Sequence, residues 1–145
     1  MSKSGASLRL NRAADYAIRA MIHLAGLPEG ERVMLPDLAR ITGAPESFLS
    51  KILQELCRAE MAASVRGQSG GFAILPAGRS ATIGSVIAAV DGPICLNVCL
   101  MHNKACDRKC VCPAHPIWAN AQLALLKVLN AQTIADLAAQ AASLK

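Results

Sequence analysis

The feature that most narrows the fold is a change of hydrophobic period between residues 35 and 75. In Leu35-Pro36-Asp37-Leu38-Ala39-Arg40-Ile41-Thr42-Gly43, Pro36 suits a first helical turn and Gly43 a left-handed exit. A second helix restarts at Pro45, and Phe48, Leu49, Ile52, Leu53 and Leu56 recur along it at helical spacing. The period then shortens. Ala62–Val65 and Phe72–Leu75 read as two short strands around the turn formers Arg66-Gly67-Gln68-Ser69-Gly70-Gly71. Two helices joined by a tight glycine turn and followed by a hairpin make a winged helix-turn-helix.

The flanking sequence extends this frame. Asn11 can cap a helix to about Ala25, with Ala14, Ile18, Met21, Ile22 and Ala25 on its apolar face and Gly26 and Pro28 ending it. Thr82 caps a short helix from Ile83 to Val90, closed by Asp91-Gly92-Pro93. A long helix runs from Ala114 to Leu129 with Trp118, Leu123, Leu126 and Leu129 along it, and Thr133 caps a last helix to about Ala142. The expected class is mainly α with a small β-hairpin wing. The expected organisation is a loose tail at 1–7, the winged helix-turn-helix domain at 8–80, a short helix and cysteine loop at 81–113, and a long helix with a C-terminal helix at 114–145.

Composition constrains the class further. Hydrophobic residues make up 53% but aromatics only 3%, so the core is built from Ala, Leu, Ile and Val. No apolar run approaches a spanning helix. Met1 to Arg12 is basic without an apolar stretch behind it, which is not a secretion leader. These features predict a cytoplasmic protein with no membrane partner, where thiols stay reduced. The net charge is +5, with ten Lys/Arg against seven Asp/Glu in residues 1–80 and five against three in residues 81–145. That excess permits nucleic-acid binding without requiring it.

In a helix-turn-helix the second helix enters the major groove, led by its N-terminal residues. Glu46, Ser47, Ser50, Lys51 and Gln54 are the outward polar positions here. Ser47 and Ser50 can bond phosphates or base edges, Lys51 can reach guanine or a phosphate, and Gln54 can pair with adenine. Arg66 stands at the wing tip beside Gly67, where the backbone can approach closely and arginine fits a narrow minor groove.

Five of six cysteines, Cys95, Cys99, Cys106, Cys110 and Cys112, crowd a short segment, with His115 close behind; Cys57 lies apart on the second helix of the motif. The segment has no Cys-x-x-Cys pair. Structural zinc prefers two close pairs, whereas iron–sulfur clusters accept thiolates at wider gaps. Spacing alone leaves three readings open: an iron–sulfur cluster, a zinc site and metal-free redox thiols. A Cys112/His115 nucleophile is a fourth, but nothing supplies an orienting group, an oxyanion hole or a pocket for a small-molecule substrate, so the chain does not read as an enzyme.

Taken together, the chain resembles the iron–sulfur winged-helix regulators that include IscR, NsrR and RirA. The resemblance runs from about Leu8 to Ala138. It is carried by Leu8-Arg9-Leu10 with Asp15-Tyr16-Ala17-Ile18-Arg19-Ala20, Leu49-Ser50-Lys51-Ile52-Leu53, Val65-Arg66-Gly67-x-x-Gly70-Gly71-Phe72, Ala89-Val90-Asp91, and Cys112-x-x-His115-Pro116-x-Trp118. It implies a homodimeric regulator of operator DNA, with Trp118, Leu123 and Leu126 at the dimer helix. It also implies an iron–sulfur cluster on Cys99, Cys106 and Cys112 that senses nitric oxide, redox state or iron supply. The first gap, Cys99-x6-Cys106, is one residue longer than the usual x5 of such regulators, and Cys95 and Cys110 are extra thiols that could substitute as ligands or resolve a disulfide. The fourth ligand would be His115 for a [2Fe–2S] cluster, or Asp15 from the partner subunit for a [4Fe–4S] cluster.

Overall fold

The computed structural model describes residues 10–101 and 111–145. The expected loose tail therefore lies outside the described residues, as do Cys106 and Cys110.

Helix α1 spans Arg12–Ala25 and starts where expected, because the Asn11 side chain accepts the Ala14 N–H at 3.1 Å. Its buried face is Ala14, Ala17, Ala20, Met21, Leu24 and Ala25, while Ile18 and Ile22 reach only its half-buried margin. Helix α2 (Leu35–Thr42) and helix α3 (Glu46–Arg58) meet at Gly43, whose φ of 75° is the left-handed exit that glycine permits. Thr42 is buried at that corner and its hydroxyl donates back to the Leu38 carbonyl at 2.8 Å. Leu49, Ile52, Leu53 and Leu56 of α3 join Leu38, Met21 and Leu24 in the core. Each fully buried leucine of this set contributes roughly 1.5–3 kcal/mol relative to exposure. Phe48 shares the helical spacing of these residues but does not join them in the core. It is 37% exposed and stacks edge-on against Tyr16, ring centroids 5.9 Å apart.

The wing is a hairpin of β1 (Ala62–Val65) and β2 (Gly71–Ile74), so the second strand begins and ends one residue earlier than expected. Sequence reading missed a third contributor. Val33 pairs with Phe72, donating to its carbonyl at 2.9 Å and accepting its N–H at 2.8 Å. It also missed α4 (Pro76–Ser80), a single short helix whose Gly78 lies against the Met61 carbonyl. Arg79 on α4 donates to the Ala25 and Leu27 carbonyls at 2.8 and 3.0 Å, satisfying the end of α1 and the turn after it.

Helix α5 (Ile83–Asp91) opens with a reciprocal capping box between Thr82 and Ser85, and packs across α1 and α3. After α5 the chain enters the cysteine segment, in which Val98–Leu100 form one 3-10 turn. Helix α6 (His115–Leu129) follows, then α7 (Ile134–Ser143), which opens with a second capping box between Thr133 and Asp136 and returns to the core through Ile134 and Ala138. Helix α6 has no buried residue. Ile117, Leu123 and Val128 are 69%, 66% and 73% exposed. An apolar helix face this exposed among the described residues is a candidate contact surface.

Candidate functional site

The first candidate surface is the outer side of α3 and the wing. The core face of α3 is used up by Leu49, Ile52, Leu53 and Leu56, so helical geometry turns Glu46, Ser47, Lys51 and Gln54 outward, all exposed, with Ser50 half-buried beside them. Between α3 and the hairpin runs a groove of about 750 Å³, lined among others by Ser50, Gln54, Arg58 and Arg66. Arg66 is exposed at the wing tip, and Gly67 beside it has φ 108°. Arg58 was not anticipated, although it lies four residues after Gln54 and helical period alone places it on the same edge. It is held by an ion pair with Glu55. Cys57 also lines the groove, where burial pushes its thiol up from the ordinary range. A thiol held protonated in this way is a weak ligand and a weak nucleophile.

The second candidate surface is built from the cysteine segment and the start of α6. Asn97 accepts the Val98 N–H at 2.8 Å and begins the 3-10 turn that presents Cys99. Pro116 lies in the first turn of α6, where its missing N–H costs nothing, and the His115 N–H bonds the Cys112 carbonyl at 3.2 Å. Cys99, Cys112, His115 and Trp118 therefore converge on one cavity of about 320 Å³. The Nδ1 atom of His115 is itself buried and, among the described residues, has no hydrogen-bond partner. A buried imidazole nitrogen left unpaired is costly, and two thiols stand on the same cavity wall. This donor set, soft sulfur with one imidazole, suits iron–sulfur or zinc rather than a hard cation.

The other expected ligands are placed differently. Cys95 turns away into a separate cavity of about 620 Å³ between α5 and α6, where its thiol donates to the Asn97 carbonyl at 3.3 Å. The Leu96 N–H donates to Gln122 at 3.0 Å, which ties this end of the segment to α6. Asp15 is exposed on α1, engaged with Arg19 at 2.9 Å, and does not line the His115 cavity of its own protomer. Among the described residues, no three His, Cys, Asp or Glu side chains gather as one metal-sized group. Of the residues expected at the dimer helix, Trp118 is at the cavity rim, Leu123 is exposed, and Leu126 is half-buried on the wall facing α5. No helix among the described residues is long and apolar enough to cross a membrane.

The chain is similar to known proteins in sequence and in fold. The chain is 31% identical over 139 residues to the HTH-type transcriptional regulator NsrR of Geobacillus kaustophilus, covering 95% of each protein. Its fold matches the structure of CymR, the global cysteine regulator of B. subtilis, with a TM-score of 0.72 at 24% identity over 92% of this chain and 98% of that one. It matches T. potens IscR with a TM-score of 0.71 at 24% identity, over 93% and 89% of the two chains. The family model described as Rrf2, iron-dependent transcriptional regulator, matches residues 10–140. The chain thus belongs to the Rrf2 family, and it is a DNA-binding transcription regulator rather than an enzyme.

Proposed function

We propose that this regulator binds double-stranded operator DNA as a homodimer, and that an iron–sulfur cluster sets its operator affinity. The cluster is held by Cys99, Cys106, Cys112 and His115. The observation that carries this reading is that His115, Cys99 and Cys112 line one cavity, with the His115 Nδ1 buried and without a hydrogen-bond partner among the described residues. Cys106 completes the set, as the resemblance to the iron–sulfur regulators implies. In this proposal His115 is preferred over Asp15, which is exposed and paired with Arg19, and the cluster is then of the [2Fe–2S] type. When bound, the cluster supplies a redox- and nitric-oxide-reactive centre whose loss can be read as a change of state.

The protein's own residues do the rest. Ser47, Ser50, Lys51 and Gln54 face the major groove, and Arg66 with Gly67 reaches the flanking minor groove. Ile117, Leu123 and Val128 of α6 cover their counterparts in the second subunit, which spaces two α3 helices for two half-sites. The cavity lies at the start of α6 itself, so a change in what His115, Cys99 and Cys112 hold moves the base of the dimer helix. Such a movement switches DNA binding only if the two arrangements differ in operator affinity.

The test compares reconstituted and cluster-free protein for binding to one fluorescent operator duplex at fixed salt. Different affinities support a cluster switch. Equal affinities, with the cluster demonstrably present, would leave a regulator whose cysteines do not control it.

A further inference from the structure

We infer that Arg32 is a positioning residue for the wing, and that Arg66 reads DNA because Arg32 fixes the turn of the hairpin against the segment before α2. The inference rests on the proposed role of the wing at DNA. Three observations meet at one place. The Arg32 guanidinium donates to the Ser69 carbonyl at 3.2 Å, inside the turn that carries Arg66. Next to it, Val33 and Phe72 exchange two backbone hydrogen bonds, so the wing is anchored along one side by residues 32 and 33. Gly71 lets the two backbones approach this closely, since a Cβ there would lie 2.7 Å from the Val33 carbonyl oxygen.

A two-stranded hairpin alone is marginally stable in water. Its tip, Arg66 to Ser69, is exposed. Without a brace, Arg66 would sample many directions, and ordering it on DNA would oppose binding. Arg32 is exposed, and among the described residues it pairs with no carboxylate, so its one bond to the turn is not a by-product of an ion pair. Arg32 thereby holds the turn without itself touching DNA.

The experiment is a double-mutant cycle on the full-length protein with Arg32→Ala, Arg66→Ala and the pair. The probes are a duplex enriched from a random pool by the unaltered protein and a copy whose A·T flanks are changed to G·C. Arg66→Ala should weaken binding by about tenfold and erase the flank preference. Arg32→Ala should erase the same preference, and the double variant should bind within about twofold of Arg66→Ala. The salt dependence of the double variant should equal that of Arg66→Ala. Additive losses, or a further fall of about 0.9 in the salt slope, would make Arg32 a separate phosphate contact and overturn the inference. So would an unchanged flank preference in Arg32→Ala. An Arg66→Ala protein that binds like its parent would overturn the wing reading itself.

Discussion

The wing offers a prediction whose size follows from the structure. Gly71 has φ 127°, and a Cβ added there would stand 2.7 Å from the Val33 oxygen and 2.9 Å from its carbonyl carbon. Both obstacles are backbone, so no side-chain rotation relieves them. Two costs add in Gly71→Ala. A backbone region reserved for glycine costs about 1–3 kcal/mol. Pushing Val33 away costs two hydrogen bonds, at roughly 0.5–1.5 kcal/mol each. The expected total is about 2–6 kcal/mol. Gly67→Ala is the internal control: its φ is 108°, but nothing lies within 4 Å of the new Cβ, so only the first cost applies. Urea unfolding followed by circular dichroism measures both variants, and hydrogen exchange reports the Val33 and Phe72 amides. Gly71→Ala should be the less stable and should lose protection at those two amides. If it is as stable as Gly67→Ala with both amides protected, the close approach of residue 33 to the wing does not constrain this position.

Other consequences concern the two faces. Lys51→Ala and Arg66→Ala should each weaken operator binding in a gel-shift titration, by roughly 1–3 kcal/mol where the side chain meets a base edge. His115→Ala should keep the fold, because that side chain gives no hydrogen bond to lose through Nδ1; it should alter or remove the visible absorption of the reconstituted protein, whereas Asp15→Ala should leave it intact. His23 provides a pH test. Burial first, and the Lys145 charge second, hold its pKa below the ordinary 6.5. Its neutral form is the one the fold accepts, so its contribution is complete above about pH 6.5 and is lost as pH falls through the lower folded value. The melting temperature of His23→Gln should accordingly fall less than that of the parent as the solution is acidified from neutrality.

Much of the fold was legible because local signals agreed with the final packing. Leu49, Ile52, Leu53 and Leu56 have the period of α3, Gly43 takes the left-handed conformation, and Asn11, Thr82 and Thr133 cap the helices they precede. Phe48 shares the apolar period but stands in the first turn of α3, where it meets the Tyr16 ring and stays 37% exposed. Val33 could not be read as part of the wing, since a single paired residue has no period to detect. Helix α4 is likewise too short to show one. At the candidate site, the family resemblance pointed to Cys99, Cys112 and His115, which do line one cavity. The separate placement of Cys95 depends on its own bond to Asn97 and on the contact between Leu96 and Gln122, partners 26 residues apart that spacing cannot reveal.

The most direct test of the central claim is native mass spectrometry of anaerobically purified, reconstituted protein, with iron and sulfide counted on the same sample. The account predicts a dimer carrying two iron and two sulfide per chain, with that mass increment lost in His115→Ala. Four iron per chain, retained in His115→Ala and lost in Asp15→Ala, would contradict the ligand assignment. A protein carrying zinc or no metal after reconstitution would contradict the cluster itself.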